Sequence, residues 1–191
     1  MGINLNKVYF IRHAKTDYTE HNDLIRPLTE SGIEESIKLI RLMKNKNITR
    51  IYSSPYKRSI DTVIKIAEDY NIEIELIEDF RERKITDSWI EDFDTFSKKQ
   101  WDDFDFKIEG GESLTEVSKR NVDALTKILN KINNESIIIG THGTALSTII
   151  KYYDPKFNYE SFMSIKDKMP FVVCMTFNGT SIESIKYIDR I

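Results

Sequence analysis

Two short apolar runs constrain what this chain can fold into more than any other feature. Val8-Tyr9-Phe10-Ile11 and Ile137-Ile138-Ile139-Gly140 are each bounded by polar residues and each followed, after a turn, by a helical pattern. Runs of that length and composition read as parallel strands buried on both faces. Both end alike: Arg12 and His13 follow the first, Thr141 and His142 the second. Ligands of open α/β sheets bind beyond the carboxyl ends of the strands. A histidine at that place on two strands therefore predicts one shared pocket. Arg12 gives it a fixed positive charge, so the expected ligand is an anion.

The remaining pattern alternates helices with strands. Thr29 is placed to cap a helix over about 30–45, with Ile33, Ile37, Ile40, Leu42 and Met43 near helical spacing. Residues 50–53 read as a strand. Ser54 as N-cap and Pro55 in the first turn then open a helix to about Tyr70. Residues 72–77 alternate apolar and acidic and read as a strand near an edge. Ser113-Leu114-Thr115-Glu116 is a capping box. It starts a helix carrying Leu114, Val117, Leu125, Ile128, Leu129 and Ile132. A further helix is expected over 143–153. Two strands, 171–177 and 181–188, close around the hairpin signal Asn178-Gly179. The expected architecture is a three-layer α/β/α sandwich: a mainly parallel sheet, a closing antiparallel hairpin and a small helical cap.

At 191 residues the chain reads as one domain, 1–191. Residues 83–111 interrupt the pattern. They carry Trp89, Phe93, Phe96, Trp101, Phe104 and Phe106 among eight acids and five bases, too aromatic for a disordered loop. The segment is either an amphipathic helical excursion packed on the body or a cap walling the pocket mouth. A net charge of -3 leaves no basic footprint for nucleic acid or a membrane surface. No apolar stretch approaches the ~20 residues of a membrane span, and no signal-peptide core is present. The single cysteine, Cys174, sits in an apolar run and reads as a packed strand residue; a cytoplasmic location is expected. Oligomeric state is open.

Arg58 falls in the first turn of the helix opened by Ser54-Pro55, where a cation opposes the helix dipole. Either its head lies in water, or an anion sits between the guanidinium and the helix end. Glu82, within Asp79-Phe80-Arg81-Glu82-Arg83, reads on its own as a surface acid, and His21 as a solvated loop residue. The three histidines show no metal-ligand spacing, no Gly-x-x-x-x-Gly-Lys loop occurs, and Cys174 is not followed by an anion-binding loop ending in arginine. No cofactor is implied.

Taken in order, these segments resemble the histidine phosphatase superfamily, the phosphoglycerate mutase-like proteins. Arg12-His13-Ala14-Lys15-Thr16 is similar to its Arg-His-Gly-x-Thr signature. Pro27-Leu28-Thr29-Glu30-Ser31-Gly32 resembles the segment opening its first helix, and residues 53–62 its second signature. Phe80-Arg81-Glu82 resembles the stretch carrying its acid; Gly110-Gly111-Glu112-Ser113 and Thr141-His142-Gly143 resemble its later motifs. The resemblance implies a phosphohistidine route with His13 as nucleophile, His142 as a partner in the site and Glu82 as general acid and base. Arg12 and Arg58 would bind the phosphoryl group, joined by the backbone at Gly143. Thr19 stands where many members place a phosphate-binding Asn, and Thr16 is the residue to share that role. Ala14 replaces the usual Gly, and the stretch after Glu82 lacks the Gly-x-Trp-Glu-Gly-like segment of many relatives, so substrate contacts there do not carry over.

The implied activity is hydrolysis of a small phosphorylated metabolite. Two alternatives use the same pocket: phosphoglycerate mutase-type transfer and a non-catalytic phospholigand-binding module. The short span from Glu82 to His142 favours hydrolysis over transfer, and the presence of both His13 and Glu82 speaks against a binding module. Lys15, Arg26, Arg81, Arg83 and Lys84 are candidates for reading the rest of the substrate, or are solvated. Asp17 and Glu112 are the alternative acids.

Overall fold

The computed structural model describes residues 5–86, 90 and 92–188. In chain order the elements are β1 (Leu5–Arg12), α1 (Glu30–Met43), β2 (Ile48–Ser53), α2 (Lys57–Tyr70), β3 (Ile74–Leu76), a 3-10 turn (Glu78–Phe80) and α3 (Phe93–Asp102). Then follow α4 (Leu114–Leu129), β4 (Ser136–Thr141), α5 (Gly143–Tyr153), α6 (Tyr159–Ile165), β5 (Phe171–Asn178) and β6 (Ser181–Ile188). The sheet order is β3-β2-β4-β1-β5-β6. The first four strands run parallel; β5 pairs antiparallel with β1, and β6 antiparallel with β5. This is the expected sandwich with its closing hairpin.

The two histidine-tipped strands are direct neighbours. Val8 pairs with Ile137 and Arg12 with Thr141, so the register runs to the last residue of each strand. The ladder continues one step further, where the His13 N–H donates to the Thr141 carbonyl at 3.0 Å. Alternation along the strands splits the core. Val8, Phe10, Ile137 and Ile139 face the layer of α4, α5 and α6, whereas Tyr9, Ile11 and Ile138 face α1 and α2. Cys174 is buried opposite Tyr9.

Three boundaries differ from the sequence reading. Helix α2 begins at Lys57, and its N-cap is Tyr56, whose side chain makes no capping bond. Ser54 lies two residues before that cap, and its hydroxyl both accepts from Tyr56 N and meets His142. Helix α1 is rotated from the expected face: Gly32, Ser36, Leu39 and Met43 are buried, while Ile33 and Ile37 are half exposed. The cause is the loop after β1. A Cβ on Gly32 would stand 2.2 Å from the Lys15 carbonyl oxygen, so only glycine lets the helix rest there. Helix α6, capped by Asn158 accepting from Ser161 N, was not legible in the pattern.

Within 83–111, α3 is capped by Asp92, which accepts from Thr95 N at 2.9 Å. Its Trp101 packs against Phe104, Phe157 and Phe162 with ring centroids 5.4–5.8 Å apart, and Phe96 lies 6.0 Å from Phe106. The aromatic residues thus join α3 to α6. Trp89 lies outside the described residues.

Candidate active site

The carboxyl ends of β1 and β4 open into a cavity of about 910 Å³. His13 and His142 stand side by side beneath it, ring centroids 5.3 Å apart and edge to face. Each ring has one nitrogen tied and one open. His13 Nδ1 donates to the Ala14 carbonyl at 2.8 Å. A carbonyl only accepts, so the proton is on Nδ1 and the Nε2 lone pair is available. His142 Nε2 lies 2.7 Å from Ser54 Oγ, which already accepts from Tyr56 N. The Ser54 hydroxyl holds Nε2, and His142 Nδ1 is left buried without a partner among the described residues. Burial holds both imidazoles well below the usual histidine range, helped by the Arg58 charge and, more weakly, by Arg12. Both are neutral at physiological pH.

Two buried arginines flank the histidines. Arg12 Nη1 donates to the carbonyls of Ile165, Lys166 and Lys168, while its Nε has no partner among the described residues. Its guanidinium lies against Gly143, where a Cβ would be 3.0 Å from the guanidinium carbon. Gly143 thus serves the site by its lack of a side chain, which is how Arg12 reaches the start of α5. Arg58 donates to the Asp23 carbonyl at 2.6 Å, lies 3.2 Å from the Asp23 carboxylate and covers the Tyr56 ring. It is buried rather than solvated, with Asp23 as its partner. Thr62, one turn further along α2, accepts from Ala14 N and donates to the Arg58 carbonyl, tying the His13 loop to that helix.

Glu82 is not a surface acid. Its carboxylate accepts from Arg83 N at 2.8 Å, Ala145 N at 3.0 Å and Thr144 N at 3.0 Å, which seats it on the N-terminus of α5 beside Gly143. The peptide carrying it is held from behind. Arg120 of α4 donates to the carbonyls of Asp79, Arg81 and Glu82 and grips the Glu112 carboxylate with two nitrogens. Arg81 adds a third contact to Glu112 at 2.8 Å. These ion pairs, against the cost of burial, hold Glu112 below the usual carboxylate range. Glu112 is thus engaged as an anchor for this peptide.

Thr16 is buried on the cavity wall with an unpartnered hydroxyl. Thr19 is not brought into the site. It is exposed, and its N–H and hydroxyl both bond the Asp17 carboxylate in a local turn at 2.9 and 2.7 Å. A threonine side chain so short closes on its own loop before it can reach the histidines. Asp17, exposed and lowered by the same two bonds, lies with it. Of the residues suited to reading the rest of the substrate, Lys15 is exposed and Arg81 is spent on Glu112. Arg26 lines the cavity but is committed to Asp23 and the Glu20 carbonyl. Sequence reasoning missed Ser54, Thr62 and Arg120 as supports, because each acts on a residue far along the chain. Among the described residues no three His, Cys, Asp or Glu side chains gather as metal ligands.

The model of the histidine phosphatase superfamily (branch 1) matches residues 8–183, and the chain belongs to that family. A metal-independent phosphoserine phosphatase from Arabidopsis thaliana is 28% identical over 163 residues, 76% of this chain and 67% of its own length. A probable phosphoglycerate mutase from Salmonella typhi is 26% identical over 164 residues, 75% of this chain and 73% of its own. Among solved structures, a mutant phosphoserine phosphatase of Entamoeba histolytica in complex with phosphoserine superposes with a TM-score of 0.75 at 23% identity. That superposition covers 94% of this chain and 96% of the other.

Proposed function

We propose that this protein hydrolyses a small phosphomonoester through a phosphohistidine on His13. The observation that carries the reading is a neutral histidine with its proton locked on Nδ1 and an open Nε2, between two buried guanidiniums. The phosphoryl group would lie against Arg12 and Arg58, with His142 Nδ1–H and the Thr16 hydroxyl as further donors. Phosphoryl transfer needs mainly positioning and charge stabilisation, and this set supplies both. His13 Nε2 attacks phosphorus; the N–P bond forms as the P–O bond to the alcohol breaks. Protonated Glu82 gives its proton to the departing oxygen. Water then attacks the phosphohistidine, Glu82 takes the water's proton, and phosphate leaves with His13 restored.

Support for hydrolysis over transfer comes from the short Glu82–His142 span and from the hydrolases among the relatives. Residues 1–191 would act as one domain, with 83–111 as the cap over the site. No described helix is long and apolar enough to cross a membrane. The lone buried thiol suits a cytoplasmic setting, and an acidic chain suits a small-molecule rather than a nucleic-acid partner.

The test is a rapid quench into alkaline denaturant during turnover of 4-nitrophenyl phosphate after exhaustive chelation. An acid-labile, base-stable phosphoenzyme absent from His13→Ala is expected, with vanadate as an inhibitor. Phosphate on a serine, or activity that returns only with added Mg²⁺ or Zn²⁺, would overturn the reading. With 3-phosphoglycerate, release of phosphate rather than isomerisation to 2-phosphoglycerate separates hydrolase from mutase.

A further inference from the structure

We propose that Arg83 binds an acidic group on the alcohol part of the substrate, so that the preferred substrate is a phosphomonoester whose leaving group carries a carboxylate. This rests on the phosphatase reading above. Arg83 directly follows Glu82, and in that reading Glu82 faces the leaving oxygen. The space around Arg83 therefore belongs to the leaving group and not to the phosphoryl group.

The side chain is 4% exposed, yet it lines the cavity. A buried cation is costly unless an anion or a full set of acceptors meets it. Arg83 has neither among the described residues. Its Nη1 donates to the Gln100 side-chain carbonyl, a neutral acceptor, and its Nε has no partner. Phe93 and Phe96 lie 5.5 and 5.2 Å from the guanidinium carbon, orienting the plane without neutralising it. The nearby carboxylates are committed elsewhere, Glu82 to α5 and Glu112 to Arg81 and Arg120. Gln100 is itself fixed: its amide nitrogen donates to the carbonyls of Phe106 and Glu112 at 2.9 and 3.0 Å. Its oxygen is thus aimed at Arg83 from behind.

Three other buried arginines and the partly buried Arg120 contrast with it. Arg12, Arg26, Arg58 and Arg120 each donate to backbone carbonyls, and all but Arg12 also meet a carboxylate. Burial has pulled Arg83 down to about 10, and it stays charged at neutral pH. Six lysines and arginines line the cavity among the described residues, against three carboxylates. A phosphate monoester carries about two negative charges, which Arg12 and Arg58 would meet, leaving Arg83 for a further anion. The guanidinium fork matches a carboxylate in geometry.

The experiment compares substrate pairs that differ by one carboxylate: phosphoserine with phosphoethanolamine, and 3-phosphoglycerate with glycerol 3-phosphate. The wild type should favour the carboxylate-bearing member of at least one pair. Arg83→Met should lower that preference, as a ratio of kcat/KM values, by about 30-fold, chiefly through KM. Arg83→Lys keeps the charge without the fork and should fall between; it also guards against a folding defect in the first variant. Equal wild-type rates within both pairs, turnover of neither member, or a parallel loss on both members in the variants would overturn the proposal. The last outcome would make Arg83 a bolt for α3. A wild type that does not hydrolyse even 4-nitrophenyl phosphate would instead remove the phosphatase reading, and this inference with it.

Discussion

The floor of the cavity and its wall are built by different physics. On the floor, at the ends of β1 and β4 and the starts of α2 and α5, hydrogen bonds set every reactive group. His13, His142 and Arg12 each have some polar atoms tied to the protein and another left open. The wall, α3 with α6, is held by ring packing around Trp101, with the buried Arg83 beside it. A directional floor is suited to transition-state chemistry, which tolerates little misplacement. A packed wall sets size and charge selection and can change without disturbing the nucleophile. Chemistry and selectivity are separated in space.

The sharpest way to break this division is Glu82→Gln, at the seam between the two. An alkyl phosphate needs a proton on its leaving oxygen and an aryl phosphate hardly does. The variant should lose about 10²–10⁴-fold on alkyl phosphates and far less on 4-nitrophenyl phosphate, when the first transfer limits the rate. An equal loss along a leaving-group series would show that Glu82 only positions the site.

Next in size, Arg58→Ala should cost about 10²–10³-fold in kcat on every substrate alike, because it removes stabilisation of the phosphoryl group itself. Circular dichroism should be unchanged. A loss that depends on the leaving group would move Arg58 from the floor's role to the wall's.

Trp101→Ala tests the wall by stability. Removing a buried indole costs roughly 3–5 kcal/mol, about 10 °C in Tm for a chain of this size. At a temperature where the variant is folded, 4-nitrophenyl phosphate turnover should stay within a few-fold of wild type. A fall as deep as that of Arg58→Ala would mean that the floor depends on the wall.

The smallest expected effect is on pH. His13 and His142 are depressed in the folded protein, so below about 6.5, the free imidazole value, the unfolded chain binds more protons than the folded one. This contribution to stability is complete above that pH and is lost as pH falls toward the folded values. Tm should drop between pH 7.5 and 5.5, and His142→Gln should drop less. A variant with the same pH slope as wild type would place the titration elsewhere.

Much of the floor was legible because it is local. A short apolar run, then Arg-His or Thr-His, then a helix start, states where each side chain sits relative to its own strand. The parallel order and the closing hairpin followed from the same alternation. Position within a loop was less legible. Thr19 looked like a phosphate ligand by its place in the motif, yet it closes on Asp17 two residues away. Ser54 looked like a helix cap, yet its hydroxyl belongs to a histidine 88 residues on. Helix α1 carried its isoleucines in helical register, yet the close approach of Gly32 to Lys15 turned them outward.

The amino-acid sequence by itself determined the strands, most helix boundaries and the side chains proposed here as reactive, because these depend on neighbours within a few residues. Tertiary structure decided what each side chain is free to do. The register of β1 on β4 made two distant histidines adjacent. Arg120, from α4, took the carbonyls around Glu82 and so turned an apparent surface acid toward α5. Packing of α3 on α6 took Arg83 out of water without giving it a carboxylate among the described residues. Burial and partner choice are properties of surfaces that meet only after folding, and they keep both histidines of this site neutral.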